Sequence, residues 1–506
     1  GFALAPALHA LLGAFGADLP TSGTVVKPRT VIVALVVGVL VTLVSAAGPA
    51  RRATRVPPVA ALTDAALIAD VRGSRRRTAG SVLLALAGVA LIVAGLLGRG
   101  KVGLVGAGAA VVFVAAGLLA HHAVRPLASV IGRPLERLRG VTGRLARENS
   151  VRNPRRTAST ASALMIGVAL VAFVTIFAAG LKASIDRAVD EGFSGALVVE
   201  SRSFNLAIPE PVPAALRRVP DVASVAGLTF AQAKRGATDV SITGVDAGQL
   251  SSLYALTSGG LGSGVAAERT WARDHHVKVG QSVGLLTPTG RHVAYRVSAL
   301  YSDRGKLLAD LTVPSTAIAR DFGRRNYDIV FVGASKGAPV ARVEHGVRAV
   351  VDRAFPSVKV ETKQGFKDEQ GGQINQILGL FYVLLSLSVI VSLFGIVTTL
   401  ALTIHERTRE LGLLRAIGTS KRQVRRIVRW EAVITALIGG VIGIVLGVVF
   451  SILVTIPLHD QGFRLTIPVG SLLLLLVLAG LAGTLAAIFP ARRASRIDVL
   501  RALAYE

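Results

Sequence analysis

The 506-residue chain contains no cysteine. Disulfide bonds, thiolate nucleophiles and cysteine-based zinc sites are therefore excluded. Charged residues are also scarce, at 17% of the sequence, compared with about 25% in a typical soluble domain. Hydrophobic residues account for 52%. The chain therefore has more apolar surface than a water-soluble fold of this size is able to bury.

Seven long runs of the sequence are almost free of ionisable side chains. A helix that crosses the hydrocarbon core of a bilayer needs about 20 apolar residues, and each run is near that length or longer. Seven such runs predict membrane-spanning helices rather than the buried helices of a soluble core. The runs are 31–47, 81–98, 102–120, 158–180, 374–404, 432–456 and 467–490.

The net charge of +27 is distributed in a way that predicts the topology. Outside the polar segment 181–373 there are 33 lysines and arginines, and 28 of them lie in four segments that the seven runs place on one side of the membrane. Basic loops remain in the cytoplasm, so these four segments are predicted to be cytoplasmic. They are 51–78, 122–157, 405–429 and 491–506.

The segment 181–373 is then predicted to lie outside the cytoplasm. It contains 24 basic and 19 acidic residues, so its charge is nearly balanced. No basic surface studded with aromatic residues is visible, and we expect no nucleic-acid partner. We expect membrane lipids to surround the spans.

A short repeat indicates a duplicated module. Residues 49–62 (PARRATRVPPVAAL) and 490–503 (PARRASRIDVLRAL) are identical at eight of fourteen positions, and each follows an apolar run. The pattern predicts a membrane helix that ends at Pro49 or Pro490, followed by an arginine cluster in the headgroup zone. Because the chain begins at Gly1 with what resembles the tail of an apolar segment, we expect it to be a fragment of a longer protein.

The predicted organisation follows from the runs and the repeat. A basic amphipathic stretch at 135–150 is expected to form an elbow helix at the membrane surface. The predicted parts are the end of a first repeat at 1–62 (last span about 30–48), cytoplasmic linkers at 63–157 around an inserted hairpin (spans about 80–98 and 102–120), a span at 158–180, an external domain at 181–373, and a C-terminal membrane domain at 374–506 with spans at about 374–404, 430–456 and 467–490.

The external domain alternates strand-like and helix-like segments. Residues 195–200 (GALVVE), 223–229 and 358–361 (VKVE) are predicted strands, whereas 212–219 and 340–355 have helical spacing. The fold class is therefore a polytopic α-helical membrane protein with a large extracytoplasmic α/β or α+β domain.

A search for catalytic or metal sites finds little. No Walker A pattern is present, because Gly100-Lys101 and Gly305-Lys306 are not followed by serine or threonine. The pairs His121-His122 and His275-His276 lack a carboxylate at ligand spacing, and Asp303, Asp310 and Asp328 are interpreted as solvated charges that pair with Lys306 or Arg325 at most. We expect no catalytic residue, metal or cofactor in this chain. Gly439, Gly443 and Gly447 are spaced four apart, which predicts close helix packing.

The segment 406–426 (ERTRELGLLRAIGTSKRQVRR) is a basic loop between two spans. Leu411, Leu414 and Ile417 recur at helical spacing, with Leu413 and Ala416 beside them. Gly418 is positioned to end this helix, and Thr419 or Ser420 to start the next. A short apolar helix at a basic corner suits docking into a groove of a partner, or equally an interfacial position in the membrane.

The same segment resembles the signature E-R-x-x-E-[IL]-G-[IL]-L-R-A-[IL]-G of FtsX/MacB-type ABC permeases, and the closing PARRASRIDVLRAL is similar to the ending of that family. The matching residues are Glu406, Arg407, Glu410, Leu411, Gly412, Leu413, Leu414, Arg415, Ala416, Ile417 and Gly418.

The resemblance implies a permease of the bacterial plasma membrane, in which 374–506 is an FtsX-like permease domain. It also implies that the matching residues form a coupling helix that contacts a separate ABC ATPase subunit, present in two copies, which uses ATP and Mg. The external domain would have the MacB periplasmic-core fold and would move with ATP hydrolysis. Extracytoplasmic partners of relatives include lipoproteins, lipids, peptides and amphiphilic drugs. Two alternatives remain open: an FtsX-like regulator of a cell-wall hydrolase, and an ATP-independent receptor or channel.

Overall fold

The computed structural model describes most of the chain. The described residues are 28–53, 74–97, 102–152, 154–192, 195–203, 206–246, 256–259, 264–302, 308–458 and 463–497. Most of the first repeat motif, the hairpin turn at 99–101 and the residues Asp303 and Lys306 lie outside these ranges. The described residues divide into two compact units. The first lies within 1–176, 376–454 and 468–506, and the second lies within 177–375 and 455–467.

Seven helices among the described residues are long and apolar enough to cross a membrane, as the seven runs predicted. They are α1 (Pro28–Ala53), α2 (Ser74–Leu97), α3 (Val102–Arg139), α5 (Pro154–Gly192), α9 (Lys363–Glu406), α11 (Lys421–Leu458) and α12 (Val469–Ala486). Three shorter helices lie at their ends: α4 (Val141–Arg152), α10 (Thr408–Ala416) and α13 (Ile488–Ala494).

Several helix ends differ from the sequence-based expectation. The predicted elbow at 135–150 is split, because Gly140 adopts φ +57° between α3 and α4. Helix α1 continues through Pro49 to Ala53; Gly48 precedes that proline and has no Cβ to clash with the ring. Pro490 lies in the first turn of α13, where a missing N–H is tolerated. Positions 181 and 373, predicted as domain boundaries, both lie inside long helices. Helix α5 extends to Gly192, and helix α9 begins at Lys363.

The first unit is built on close contacts between small residues. A Cβ atom added at Gly108 of α3 would lie 2.7 Å from the carbonyl oxygen of Gly88 in α2, so the inserted hairpin packs backbone against backbone. The hairpin also packs on α11, where the rings of Phe113 and Phe450 lie 5.0 Å apart. Ala120, Val124 and Ala128 of α3 belong to one buried cluster with Ala161 of α5 and Ile434 of α11.

The second unit contains one mixed sheet and four short helical segments among the described residues. The strands pair in the order β10-β1-β9-β2-β3-β8-β5-β7-β4, and β6 pairs with β2 and β7. They are β1 (Leu197–Ser201), β2 (Val222–Arg235), β3 (Thr238–Val245), β4 (Leu256–Gly259), β5 (Val265–Glu268), β6 (Ser282–Leu286), β7 (His292–Tyr301), β8 (Leu311–Pro314), β9 (Ile329–Ala334) and β10 (Val358–Thr362). The helical segments are α6 (Val212–Leu216), α7 (Arg269–Asp274), a turn at 315–322 and α8 (Val340–Ala354).

The strands and helices that the sequence predicts in this domain are present in the structure. Strand β1 is antiparallel to both β10 and β9, with Val199 opposite Val360 and Val330. Helix α8 buries Val343, Val347 and Val351 at a spacing of four residues. These valines pack on Val199 and Val330 in one hydrophobic cluster. The predicted strands at 195–200, 223–229 and 358–361 and the predicted helices at 212–219 and 340–355 are therefore confirmed, which makes this an α+β domain.

Candidate docking surface at the basic corner

The segment 406–426 folds as a corner between two long helices. Helix α10 ends at Ala416, and Gly418, two residues later, adopts φ +102°. The N–H of Thr419 donates to the carbonyl of Leu414 at 3.0 Å and closes the helix end. Ser420 and Gln423 exchange hydrogen bonds of 2.8 and 3.3 Å at the start of α11. Such a capping box satisfies the free N–H groups of a helix N-terminus. Local chemistry therefore fixes where α10 ends and α11 begins.

The apolar side chains of α10 divide into two faces. Leu411 is 8% exposed, and Leu414 packs beside it against Val424, Val428 and the buried Ala491 of α13. Leu413 and Ile417 are 55% and 73% exposed, and Ala416 is also exposed. Helical spacing alone predicts a single apolar face for these residues. Because the inner side of α10 covers the ends of α11 and α13, only Leu413, Ala416 and Ile417 face outward, and we call these three residues the outer face.

The charged residues of the signature hold the corner in place. Glu406 pairs with Arg156 of α5 at 2.9 Å. Arg407 pairs with Glu410 at 2.7 Å and donates to Asn149 Oδ1 of α4 at 3.1 Å. The sequence analysis missed Arg156 and Asn149, because they lie about 250 residues before their partners in the chain.

A buried acid completes this network. Glu431 of α11 accepts from Asn149 Nδ2 at 3.4 Å, and its carboxylate lies 4.0 Å from Arg407 Nη1. On the other side of α10, Arg415 donates to the carbonyl of Ile497, and Gly412 is buried. The signature residues other than the outer face and Gly418 therefore contact this chain itself, and their arrangement positions α10 relative to α4, α5 and α11.

The three spaced glycines lie at a helix interface. Added Cβ atoms at Gly439, Gly443 and Gly447 of α11 would lie 2.6, 2.7 and 2.8 Å from the carbonyl oxygens of Ala161, Met165 and Ala169 in α5. Any side chain there forces the two helices apart. Helix α5 is thus joined to α11 by close packing and to the corner by the Glu406–Arg156 ion pair.

The other candidate residues of the sequence analysis make separate pairwise contacts in different parts of the structure. Asp328 pairs with Arg324 at 2.8 Å, and not with Arg325, the arginine named above as a conceivable partner. Asp310 accepts from the N–H of Ser241. His121 and His275 each contact a carbonyl of the preceding helical turn. None of these contacts brings the candidate ligands together.

A cluster of charges that the sequence analysis did not identify lies in the second unit. Lys359 of β10 pairs with Glu200 at 2.7 Å, with Glu361 at 3.0 Å and with Glu369 of α9. Burial opposes the charge of Lys359, but the hydrogen bonds to these carboxylates raise its pKa. Burial, and then the neighbouring Glu369, raise the pKa of Glu361 to about 7. Of the groups in this cluster, Glu361 is therefore the one that titrates near neutral pH.

Comparison with known proteins identifies two family domains. Residues 157–350 match the MacB-like periplasmic core domain, and residues 382–499 match the FtsX-like permease C-terminal domain. The chain is 30% identical over 200 residues to a protein of Pseudomonas fluorescens named "Probable export ATP-binding/permease protein", covering 37% of this chain and 29% of that protein. It is 28% identical over 195 residues to the "Macrolide export ATP-binding/permease protein MacB" of Burkholderia cenocepacia, covering 38% and 28%.

The chain thus spans less than a third of the length of the curated relatives that it matches. Among solved structures, the periplasmic region of MacB from Actinobacillus actinomycetemcomitans aligns with 36% of this chain and 94% of its own, at 10% identity and a TM-score of 0.30. The extracellular domain of the transporter YknZ from Gram-positive bacteria aligns at 12% identity and a TM-score of 0.27, covering 33% of this chain and all of its own.

Proposed function

We propose that this chain, which belongs to the FtsX/MacB-like permease family of the bacterial inner membrane, is the membrane subunit of an ABC transporter and docks a separate ATPase. In this assembly the ATPase binds ATP and Mg, since no Walker A pattern is present in the sequence of this chain. A working unit contains two copies of the ATPase. Its extracytoplasmic substrate is a lipoprotein, lipid, peptide or amphiphilic drug.

The outer face of α10 is the observation that supports the docking proposal. Leu413 and Ile417 present apolar side chains at 55% and 73% exposure on a corner whose backbone is held by the Glu406–Arg156 and Arg407–Glu410 ion pairs. A preorganised apolar helix turn loses little entropy when it enters a groove of a partner. A membrane-lying helix requires no such rigid attachment to the neighbouring helices.

Two continuous helices support the transmission of motion. At 1.5 Å per residue, the 39 residues of α5 and the 44 residues of α9 correspond to about 58 and 66 Å, whereas the hydrocarbon core is about 30 Å thick. Each helix contains residues of both compact units. Arg156 at the start of α5 pairs with Glu406 at the end of α9. We infer that displacement of the corner moves both helices together.

The docking proposal is tested by Leu413→Asp and Ile417→Asp in the full chain, co-expressed with its ABC ATPase. Burial of one exposed leucine or isoleucine contributes about 1.5–3 kcal/mol, so each variant should reduce ATPase co-purification about tenfold or more. The matched control is Leu138→Asp, because Leu138 is 79% exposed near the cytoplasmic end of α3. If both α10 variants retain the ATPase as well as the control does, the docking proposal is wrong.

A further inference from the structure

An apolar groove lies within the first compact unit, between α5, α9 and α12. Its volume is about 760 Å³, within the range of about 300–1,000 Å³ that is usual for small-molecule sites. Leu164 and Val168 of α5 form its floor. Ile390 and Leu393 of α9 line one wall, and Leu474 and Leu478 of α12 line the other.

The groove opens toward the lipid rather than into a sealed core. Ile390, Leu474 and Leu478, which line it, are 46%, 58% and 49% exposed. These side chains belong to helices that cross the membrane. The medium that reaches the groove is therefore the hydrocarbon of the bilayer.

The polar groups of the groove lie in the half of it that is nearer the external segments. The hydroxyls of Thr175 and Tyr382 lie 2.9 Å apart, and Ser386 and Ser471 also line the groove. Helix α5 leads toward the external domain, whereas α9 and α12 lead away from the external segments. All four hydroxyls therefore lie toward the outer side of the bilayer.

The opposite end of the groove is purely apolar. On each of the three helices the lining residue farthest toward the cytoplasm is a leucine, namely Leu164, Leu393 or Leu485. Eleven residues separate Thr175 from Leu164, as they do Tyr382 from Leu393, which gives a groove length of about 16 Å. This length is about half of the ~30 Å hydrocarbon core. A polar outer end above an apolar channel of this length matches a membrane amphiphile in its ordinary orientation.

We propose that this groove binds the acyl chain of an amphiphile from the outer half of the bilayer, with the polar part of the molecule at the Thr175–Tyr382 hydroxyl pair. The proposal deepens the proposed function, on which it rests, by assigning acyl-chain amphiphiles as the substrate class. A second copy of this chain or a partner helix in the groove is the competing occupant.

The first test uses the full chain in vesicles that contain phosphatidylglycerol with a photoactivatable diazirine on one acyl chain. After irradiation, labelled peptides should contain the lining segments 386–393 and 471–485. Leu478→Trp fills the groove and should reduce this labelling about tenfold. The matched control is Val477→Trp: Val477 is 58% exposed on the same helix and does not line the groove, so labelling should remain unchanged. Equal labelling of all exposed span residues, or no loss in Leu478→Trp, would overturn the proposal.

A second measurement does not depend on a bulky substitution. The chain contains no cysteine, so single thiols are introduced by Leu474→Cys and Leu473→Cys. Both leucines are 58% exposed, and only Leu474 lines the groove. Added phosphatidylglycerol should slow the reaction of a membrane-permeant maleimide with the thiol at 474 about tenfold and leave the thiol at 473 unaffected. Equal protection, or a disulfide-linked dimer through position 474, would contradict the proposal.

These measurements use neither ATPase nor nucleotide, so their outcome is separate from that of the docking proposal. If Leu413→Asp retains the ATPase but the groove is labelled and protected as expected, the docking assignment fails and the lipid site stands. If docking is lost as expected but the groove shows no selective labelling, the substrate class is wrong and the proposed function stands.

Discussion

Replacement of Arg407 by methionine should destabilise the corner, because the carboxylate of Glu431 then loses its cationic partner. The Arg407 and Glu431 side chains are 22% and 18% exposed, and their charged groups lie 4.0 Å apart. In Arg407→Met, the Glu431 carboxylate loses its nearest cation and keeps the hydrogen bond from Asn149, at 3.4 Å. Leaving a largely buried charged group without its partner costs about 1–3 kcal/mol. Loss of the Arg407–Glu410 pair adds little, because Glu410 is 64% exposed.

Thermal unfolding of the purified full chain measures this effect. In a domain of about 150–250 residues, 1 kcal/mol shifts the melting temperature by about 2–4 °C, so we expect a decrease of about 2–12 °C. Trp430 precedes Glu431 in the sequence, and its fluorescence reports on this region. The matched control is Arg409→Met, because Arg409 is an exposed residue of the same short helix, and its melting temperature should stay within about 1 °C.

A double variant separates the proposed cause from a general effect of the substitution. If the cost comes from the unpaired Glu431, Arg407→Met combined with Glu431→Gln should be more stable than the sum of the single effects by about 0.5–3 kcal/mol. Additive effects, or an unchanged melting temperature in Arg407→Met, would refute the reasoning that these residues form one network.

Two further predictions concern other parts of the molecule. In Gly443→Leu, the Cβ atom would lie 2.7 Å from the Met165 carbonyl oxygen, so the substitution should destabilise the fold by about 1–3 kcal/mol or more. The control is Gly470→Leu, where no atom lies within 4 Å of an added Cβ and no loss of stability is expected. Equal melting temperatures of the two variants would contradict the close packing of α11 on α5. Glu361 has a pKa raised to about 7 from an ordinary value near 4.5, so the folded state holds a proton that the unfolded state has lost, and stability should decrease by up to about 3 kcal/mol as the pH rises from 4.5 through 7. Glu361→Gln should remove this dependence in thermal unfolding between pH 5 and 8, and a flat wild-type profile would contradict it.

The sequence predicts the spans because their signal is local. An uncharged run is recognised from the residues of that run alone. The helix ends at Gly418 and Ser420 are likewise recognised from these residues alone, because glycine tolerates a positive φ and the serine hydroxyl accepts a hydrogen bond from a helix N-terminus. The polar ends of the long helices are less visible: residues 181–192 continue α5 with mixed charged and small residues, and hydropathy does not distinguish such a helix from a loop.

The two faces of α10 are not predictable from spacing alone. Leu411 is buried because Ala491, 80 residues later in the chain, packs in the same cluster, and that contact has no local signature. The same holds for Arg156 and Asn149, whose partners Glu406 and Glu431 lie 250 and 282 residues away. Resemblance to a family identifies the signature residues, whereas only the structure separates those that hold the corner from those that are free to contact a partner.

Site-specific crosslinking tests the central claim most directly. In the cysteine-free chain, Leu413→Cys and Leu411→Cys introduce thiols two residues apart, on the outer and the inner face of α10. In membranes that contain the co-expressed ATPase, a short bifunctional reagent that joins a thiol to a lysine should link the thiol at 413 to that ATPase and leave the thiol at 411 unlinked. If neither thiol captures the ATPase, or if both capture it equally, the outer face of α10 is not its docking surface.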